Sequence, residues 1–227
     1  MPMISHARLQ LPLDLQAIQL QVQALSQPWS AHFNTQHYEG EWKVLSLRVA
    51  GGDADRIIPD AMGNEEYMDT SLMDACPAIK ALVDNFQCPV LSVRLLNLKS
   101  GAVIKPHRDH ELAFEMGEAR LHFPVFTNDK VEFYIEDELV RMNQGECWYI
   151  NANLTHRVAN HGPTDRIHLV IDCKVNDWLR ELFEKGEQYH ADETANRAQM
   201  LQVIAELRKQ QTEMADKLAL ELEQQLN

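Results

Sequence analysis

Apolar residues recur along this chain with two periods, and the change between them divides it into three regions. Near the N-terminus a short strand-like stretch is followed by Leu15, Ile18, Val22 and Leu25, three or four apart, the spacing of one helical face. Asp14 stands where a cap belongs, and Pro28 lies just past the expected end. Residues 42–50 read as a strand closed by Gly51 and Gly52, and a second helix is expected over 78–86. From about 90 to 175 the period becomes two. Strands are predicted over 90–98, 120–126, 147–150 and 166–172, with Val131, Phe133 and Ile135 forming one face of another and Val140 and Met142 preceding a turn. Turn residues separate them: Lys99-Ser100-Gly101, Thr127-Asn128-Asp129 and Asn143-Gln144-Gly145. Short strands at this spacing, with no helices between, indicate an antiparallel sandwich or barrel.

Beyond Gly186 there is neither Pro nor Gly. Met200, Ile204, Leu207, Met214, Leu218 and Leu222 trace one face, with Gln211 at the seam, so residues 186–227 are predicted to form one long amphipathic helix. Its apolar stripe either packs on its own domain or pairs with a second subunit, a homodimer through residues 190–227. Residues 1–185 then make one domain, with the β core at about 90–175.

Composition narrows the partners. Lys and Arg total 21 against 34 Asp and Glu, a formal charge of −13. Nucleic acid and anionic membranes both need clustered positive charge, so neither is expected as the main partner. Four cysteines without a CxxC pair read as reduced thiols. No secretory signal and no 20-residue apolar span is evident, so a cytoplasmic protein is expected.

The sharpest chemical feature is His107-Arg108-Asp109-His110. On an extended segment His107 and Asp109 point to the same side, while Arg108 and His110 point away. An imidazole and a carboxylate converging there supply two thirds of a two-His, one-carboxylate face, the donor set of non-haem Fe(II) oxygenases. His122, His156, His161 and His168 are the candidates for the third ligand. His156 follows a strand and turn that would return it across a barrel. Arg166, at the head of an apolar strand, suits a buried carboxylate because its planar fork binds bidentately and keeps its charge. Arg120 and His122 share a strand face.

These stretches resemble the aspartyl/asparaginyl β-hydroxylase family of Fe(II)- and 2-oxoglutarate-dependent oxygenases, whose wider relatives include bacterial free-proline hydroxylases. The resemblance runs over about 29–175, through residues 37–45, Arg94 to Gly101, Ile104 to Asp109, Arg120 to Asn128, Gly145 to Tyr149 and His156 to Asp172. It implies a mainly β fold with flanking helices: a double-stranded β-helix, the jelly-roll or cupin-like barrel. It implies Fe(II) on His107, Asp109 and His156, with 2-oxoglutarate and O2 as cosubstrates. Arg166 would hold the distal carboxylate of 2-oxoglutarate and His122 would lie beside it. Arg120 would reach cosubstrate or substrate, and Arg94 the substrate. The chain has the middle carboxylate that some animal members lack. It has Leu96 where some members place a serine.

The implied reaction is hydroxylation of an unactivated carbon on a carboxylate-bearing substrate, best matched by an amino acid, free, peptidyl or carrier-bound. Desaturation is an alternative outcome; halogenation is disfavoured, since Asp109 fills the position a chloride would need. A non-catalytic cupin-like sensor dimerising through the C-terminal helix is the reading from another class. His161 and His168 are expected to be structural, Trp148 to be core, and Tyr134 and Trp42 to be candidate pocket walls.

Overall fold

A computed structural model describes residues 3–57, 65–109, 112–191, 193–210 and 212–225. His110 lies outside them. The chain forms two compact units, residues 5–188 and residues 189–227 with the first four.

The first unit opens with β1 (Ile4–Leu9) and α1 (Leu15–Ala24). Asp14 caps α1 as expected, its Oδ1 accepting from Ala17 N at 3.0 Å, and Ile18 and Val22 are its buried face. Two short strands, β2 (Ser30–Ala31) and β3 (Tyr38–Glu39), lead to β4 (Trp42–Ala50). Gly51 and Gly52 leave β4 at φ 77° and 72°, a left-handed pair open to glycine at no steric cost. After β5 (Tyr67–Asp69) comes α2 (Pro77–Asp84), with Pro77 in its first turn, where the missing N–H costs nothing.

Eight strands then follow in sequence: β6 (Val90–Leu98), β7 (Val103–His107), β8 (Glu118–Phe126), β9 (Val131–Ile135), β10 (Glu138–Leu139), β11 (Cys147–Ile150), β12 (His156–Asn160) and β13 (Arg166–Lys174). β6, β8, β11 and β13 lie in the larger of two antiparallel sheets, and β7, β9, β10 and β12 in the smaller. The larger contains the run β1-β11-β8-β13-β6-β4-β2, and the smaller runs β10-β9-β12-β7-β3. This is the expected jelly roll, two antiparallel sheets joined by connections that cross from one to the other.

Central strand β13 is buried on both faces, and its alternation sorts two kinds of residue. Ile167, Leu169, Ile171 and Cys173 point one way, into the apolar layer under the helices. Arg166, His168, Val170 and Asp172 point the other way, between the sheets. Outside the larger sheet, α3 (Asp177–Glu184) closes the apolar layer; Phe183 stacks on Phe114 at 4.1 Å between centroids and meets Tyr149 at 4.9 Å. The barrel thus has a greasy exterior seam and a polar lining, the reverse of a sandwich built only for stability.

Beyond β14 (Glu187–His190), the second unit contains α4 (Glu193–Lys209) and α5 (Glu213–Gln225), packed together. Two helices replace the single predicted one. Thr212 ends the run: its hydroxyl accepts from Ala215 N at 3.2 Å and starts a new helix. Ile204, Ala215 and Ala219 are buried, whereas Met214 and Leu218 are exposed, so the expected stripe is not continuous.

Candidate metal centre and buried cations

The metal-type cluster forms where β7 ends and β12 begins. His107 and His156 are ladder partners, and a register irregularity follows His156 in that pairing. Their rings lie 4.2 Å apart. Asp109 continues past β7 and is fixed by its N–H to Ala152 O at 2.8 Å. His107 Nε2 is 3.8 Å from Asp109 Oδ1, and one donor atom from each of the three residues lies within 4.8 Å of the others.

The tautomers follow from the partners. His107 Nδ1 donates to Lys105 O at 2.8 Å, and His156 Nδ1 donates to Leu154 O at 3.0 Å. A carbonyl only accepts, so both protons sit on Nδ1 and both Nε2 lone pairs are free for a metal. Burial pushes His156 down to about 4, which keeps it neutral at physiological pH. For Asp109 burial acts upward, but Arg120, His156 and His107 outweigh it and hold the carboxyl below its usual range. Two imidazoles that can offer Nε2 and one carboxylate, gathered within 4.8 Å, fit Fe(II).

Arg108 turns away from this group, its Nε bonding Thr155 Oγ1 at 2.9 Å, as the strand alternation predicts. Glu136 steadies the same loop: it sits at φ 52°, and its Oε1 accepts from Thr155 N at 2.9 Å.

Deeper between the sheets lies Arg166, 2% exposed. No carboxylate pairs with it among the described residues. Its Nη2 donates to His168 Nδ1 at 2.9 Å, and its Nε has no partner. Burial lowers it to about 9, so it remains charged at neutral pH. A charge left unpaired in such a place is costly unless an anion completes it. His122, buried with an unpartnered Nδ1, stands 5.7 Å from His168 by ring centroids. Burial and then Arg166 depress it, so it is neutral. Phe133 lies parallel to His156 at 6.2 Å and carries the wall from metal to arginine. A cavity of about 70 Å³ touches Arg166 and His168, walled by Phe133, Val140, Met142 and Asn128.

Near the metal end the larger sheet presents Arg94 and Arg120. Neither is free. Asp172 Oδ1 accepts from Arg120 Nε at 2.7 Å, and its Oδ2 from Arg94 Nη2 at 2.6 Å, Arg120 Nη2 at 3.1 Å and Ser92 Oγ at 2.8 Å. Arg120 Nη1 also pairs with Asp109 Oδ2, linking this cluster to the metal group. Burial acts upward on Asp172, but the two arginines outweigh it and hold it far below the usual carboxylate range.

All seven predicted residues therefore line one interior. Two contributors, Asp172 and His32, were missed, and His168, weighed as a third ligand and expected to be structural, bonds Arg166. Asp172 and His168 share the inward face of β13 with Arg166, and steps of two residues from Arg166 reach both. His32, buried, stacks on Trp42 at 3.5 Å; burial, then Arg94, lowers it to about 3. Trp42 is on the inward face, as considered. Tyr134 is not: it faces outward under the Arg157 guanidinium, 4.0 Å away, because Phe133 takes the inward position. His161 is exposed.

Comparison with known proteins agrees with this geometry. The family model described as Aspartyl/Asparaginyl beta-hydroxylase matches residues 12–175. L-proline cis-4-hydroxylase of Rhizobium meliloti (strain 1021) is 29% identical over 151 residues, 66% of this chain and 53% of that protein. L-proline cis-3-hydroxylase 2 of a Streptomyces species is 29% identical over 177 residues, 75% of this chain and 60% of that one. The chain thus spans little more than half the length of these relatives. A solved 2OG-Fe(II) oxygenase family oxidoreductase from Burkholderia pseudomallei shares the fold, with a TM-score of 0.50 at 12% identity, covering 71% of this chain and 78% of that one. No described helix is long and apolar enough to cross a membrane.

Proposed function

The chain belongs to the aspartyl/asparaginyl β-hydroxylase family, and on that premise we propose that it is an Fe(II)- and 2-oxoglutarate-dependent dioxygenase hydroxylating an unactivated carbon of a carboxylate-bearing amino acid. The observation that carries the reading is Arg166, a buried guanidinium with no carboxylate partner among the described residues, sharing a barrel interior with His107, Asp109 and His156. Bound iron supplies the activation of O2 that side chains lack. His107, Asp109 and His156 hold it. Arg166 receives the distal carboxylate of 2-oxoglutarate, and the free Nδ1 of His122 is available to the cosubstrate along the way. Arg94 and Arg120 receive the carboxylate of the substrate. Phe133, Leu96 and Val170 keep the space between them apolar, which strengthens each of these ionic contacts.

L-proline, named in the relatives, is the first amino acid to test. Four buried, unpaired thiols support a reducing, cytoplasmic setting. A homodimer through residues 190–227 belongs to the same proposal, supported by Leu201, Val203, Met214, Leu218 and Leu220, which remain exposed.

The test is to load the protein anaerobically with Fe(II) and 2-oxoglutarate, admit O2, and screen amino acids for stimulated release of succinate. At least one free amino acid should stimulate turnover, and His107→Ala should abolish both iron binding and turnover. Unchanged iron affinity in that variant would overturn the site.

A further inference from the structure

We infer that Asp172 sets the charge of the substrate's seat, so that the metal end of the barrel accepts a substrate with one carboxylate and refuses one with two. The inference rests on the oxygenase reading above and deepens it.

Arg94 on β6 and Arg120 on β8 flank β13 on its two sides, with Arg94 opposite Val170 and Arg120 opposite Asp172. Both guanidiniums therefore enter the same interior, and Asp172, 7% exposed, stands between them. Its two oxygens accept four hydrogen bonds, three from the arginines and one from Ser92. The carboxylate is saturated and locks both forks in place. Arg94 Nε remains buried without a partner, so the pair keeps unused donor capacity.

Charge decides what can use it. Two guanidiniums face Asp172 and, at Arg120, also Asp109, whose Oδ2 pairs with Arg120 while its Oδ1 faces the metal position. With a divalent cation held there, the charge of Asp109 would count against the metal, which leaves on the two arginines one positive charge that Asp172 does not match. His32, lowered to about 3, is neutral. A single carboxylate neutralises the cluster. A second one would be buried without a partner, which is strongly unfavourable.

This matters because the proposed cosubstrate is itself a dicarboxylate. A pair of arginines beside the metal, without Asp172, would compete with Arg166 for it. Asp172 thus acts as a positioning and specificity residue, keeping cosubstrate and substrate in separate places.

The experiment uses protein loaded with Fe(II) and 2-oxoglutarate under anaerobic conditions, titrated calorimetrically with L-proline and with L-aspartate. Wild type should bind L-proline and strongly disfavour L-aspartate. Asp172→Asn keeps the shape and adds one net positive charge, and should shift the ratio of the two affinities toward L-aspartate by about tenfold or more. A residue that only braced the fold would weaken both ligands alike, and an unchanged ratio overturns the inference. Should Asp172→Asn fail to fold, Arg94→Gln and the pair Arg94→Gln with Asp172→Asn decide the matter. The single variant, with no unmatched charge, should lose L-proline, and the pair, with one restored, should regain it; no recovery overturns the inference. If 2-oxoglutarate binds but neither amino acid does in wild type, this inference falls while the oxygenase chemistry stands. Failure of 2-oxoglutarate itself to bind would overturn the oxygenase reading.

Discussion

Two buried cationic regions face each other along one interior, and they are built on opposite principles. Near the metal position, Arg94 and Arg120 are bound to Asp172 before any ligand arrives. At the deep end Arg166 has only the lone pair of His168 to bond. In the first region the carboxylate of Asp172 is saturated and holds both arginines, while Arg94 Nε stays unpartnered, so a ligand there would add to an existing network. The second is incomplete, so a ligand there repairs a deficit. The difference fits the proposed division, with the deep end for one constant cosubstrate and the metal end for choosing among substrates.

The comparison can be broken most directly through stability. Asp172→Ala leaves Arg94 without its counter-charge and Arg120 with Asp109 alone, and should cost about 3–5 kcal/mol. At about 2–4 °C per kcal/mol for a chain of this size, the melting temperature should fall by about 6 °C or more. Arg166→Met removes a charge that nothing balances, so the metal-free protein should melt no lower than wild type. If both variants lose stability equally, the contrast between the two regions is wrong. Differential scanning calorimetry on the metal-free forms reads both.

Ligand binding sharpens the same contrast. Arg166→Met should weaken 2-oxoglutarate by about 2–5 kcal/mol, the loss expected for one partner of a buried, hydrogen-bonded charge pair, while Fe(II) affinity is retained. Retained 2-oxoglutarate affinity would place the cosubstrate elsewhere.

Acidification gives the smallest effect. His6 and His156, lowered to about 4, and His32, lowered to about 3, are neutral in the fold and bind protons more readily when unfolded. Their contribution is fully present above about pH 6.5 and is lost as pH falls toward 4, whereas Asp172 and Asp109 act only below about pH 4. Urea midpoints of metal-free protein should therefore drop between pH 7.5 and pH 5. His32→Gln should reduce that drop by about 2 kcal/mol, and an unaltered drop would show that His32 is not neutral in the fold.

Much of this architecture was readable from residue order. The bounds of β4 and β6 follow from alternation and from the glycines and polar turns that end them. β12 was not read as a strand, because its inward residues are His156, Val158 and Asn160, an alternation that mixes ligand, core and turn-binding roles. α3 left a readable trace: Asn176 caps it, accepting from Leu179 N at 3.1 Å, and Leu179 and Phe183 lie four apart. The break between α4 and α5 left little trace, since Thr212 is tolerated inside a helix and only the packing of Ala215 and Ala219 favours its use as a cap. Arg94, Arg120 and Arg166 were readable as candidate cations. Which of them was already paired was not, because pairing depends on neighbours across three strands.

The two histidines proposed as ligands bond in the same way, each to the carbonyl two residues before it on its own chain segment. Neither imidazole needs a distant side chain to choose its tautomer. Orientation of the two imidazoles is inherited from the backbone, whereas Asp109 Oδ2 pairs with Arg120 and ties the third donor to the side chains proposed to meet the substrate. Changes at Arg94 should therefore alter the molecule accepted while both imidazoles stay set, and changes at Arg120 should disturb Asp109 as well.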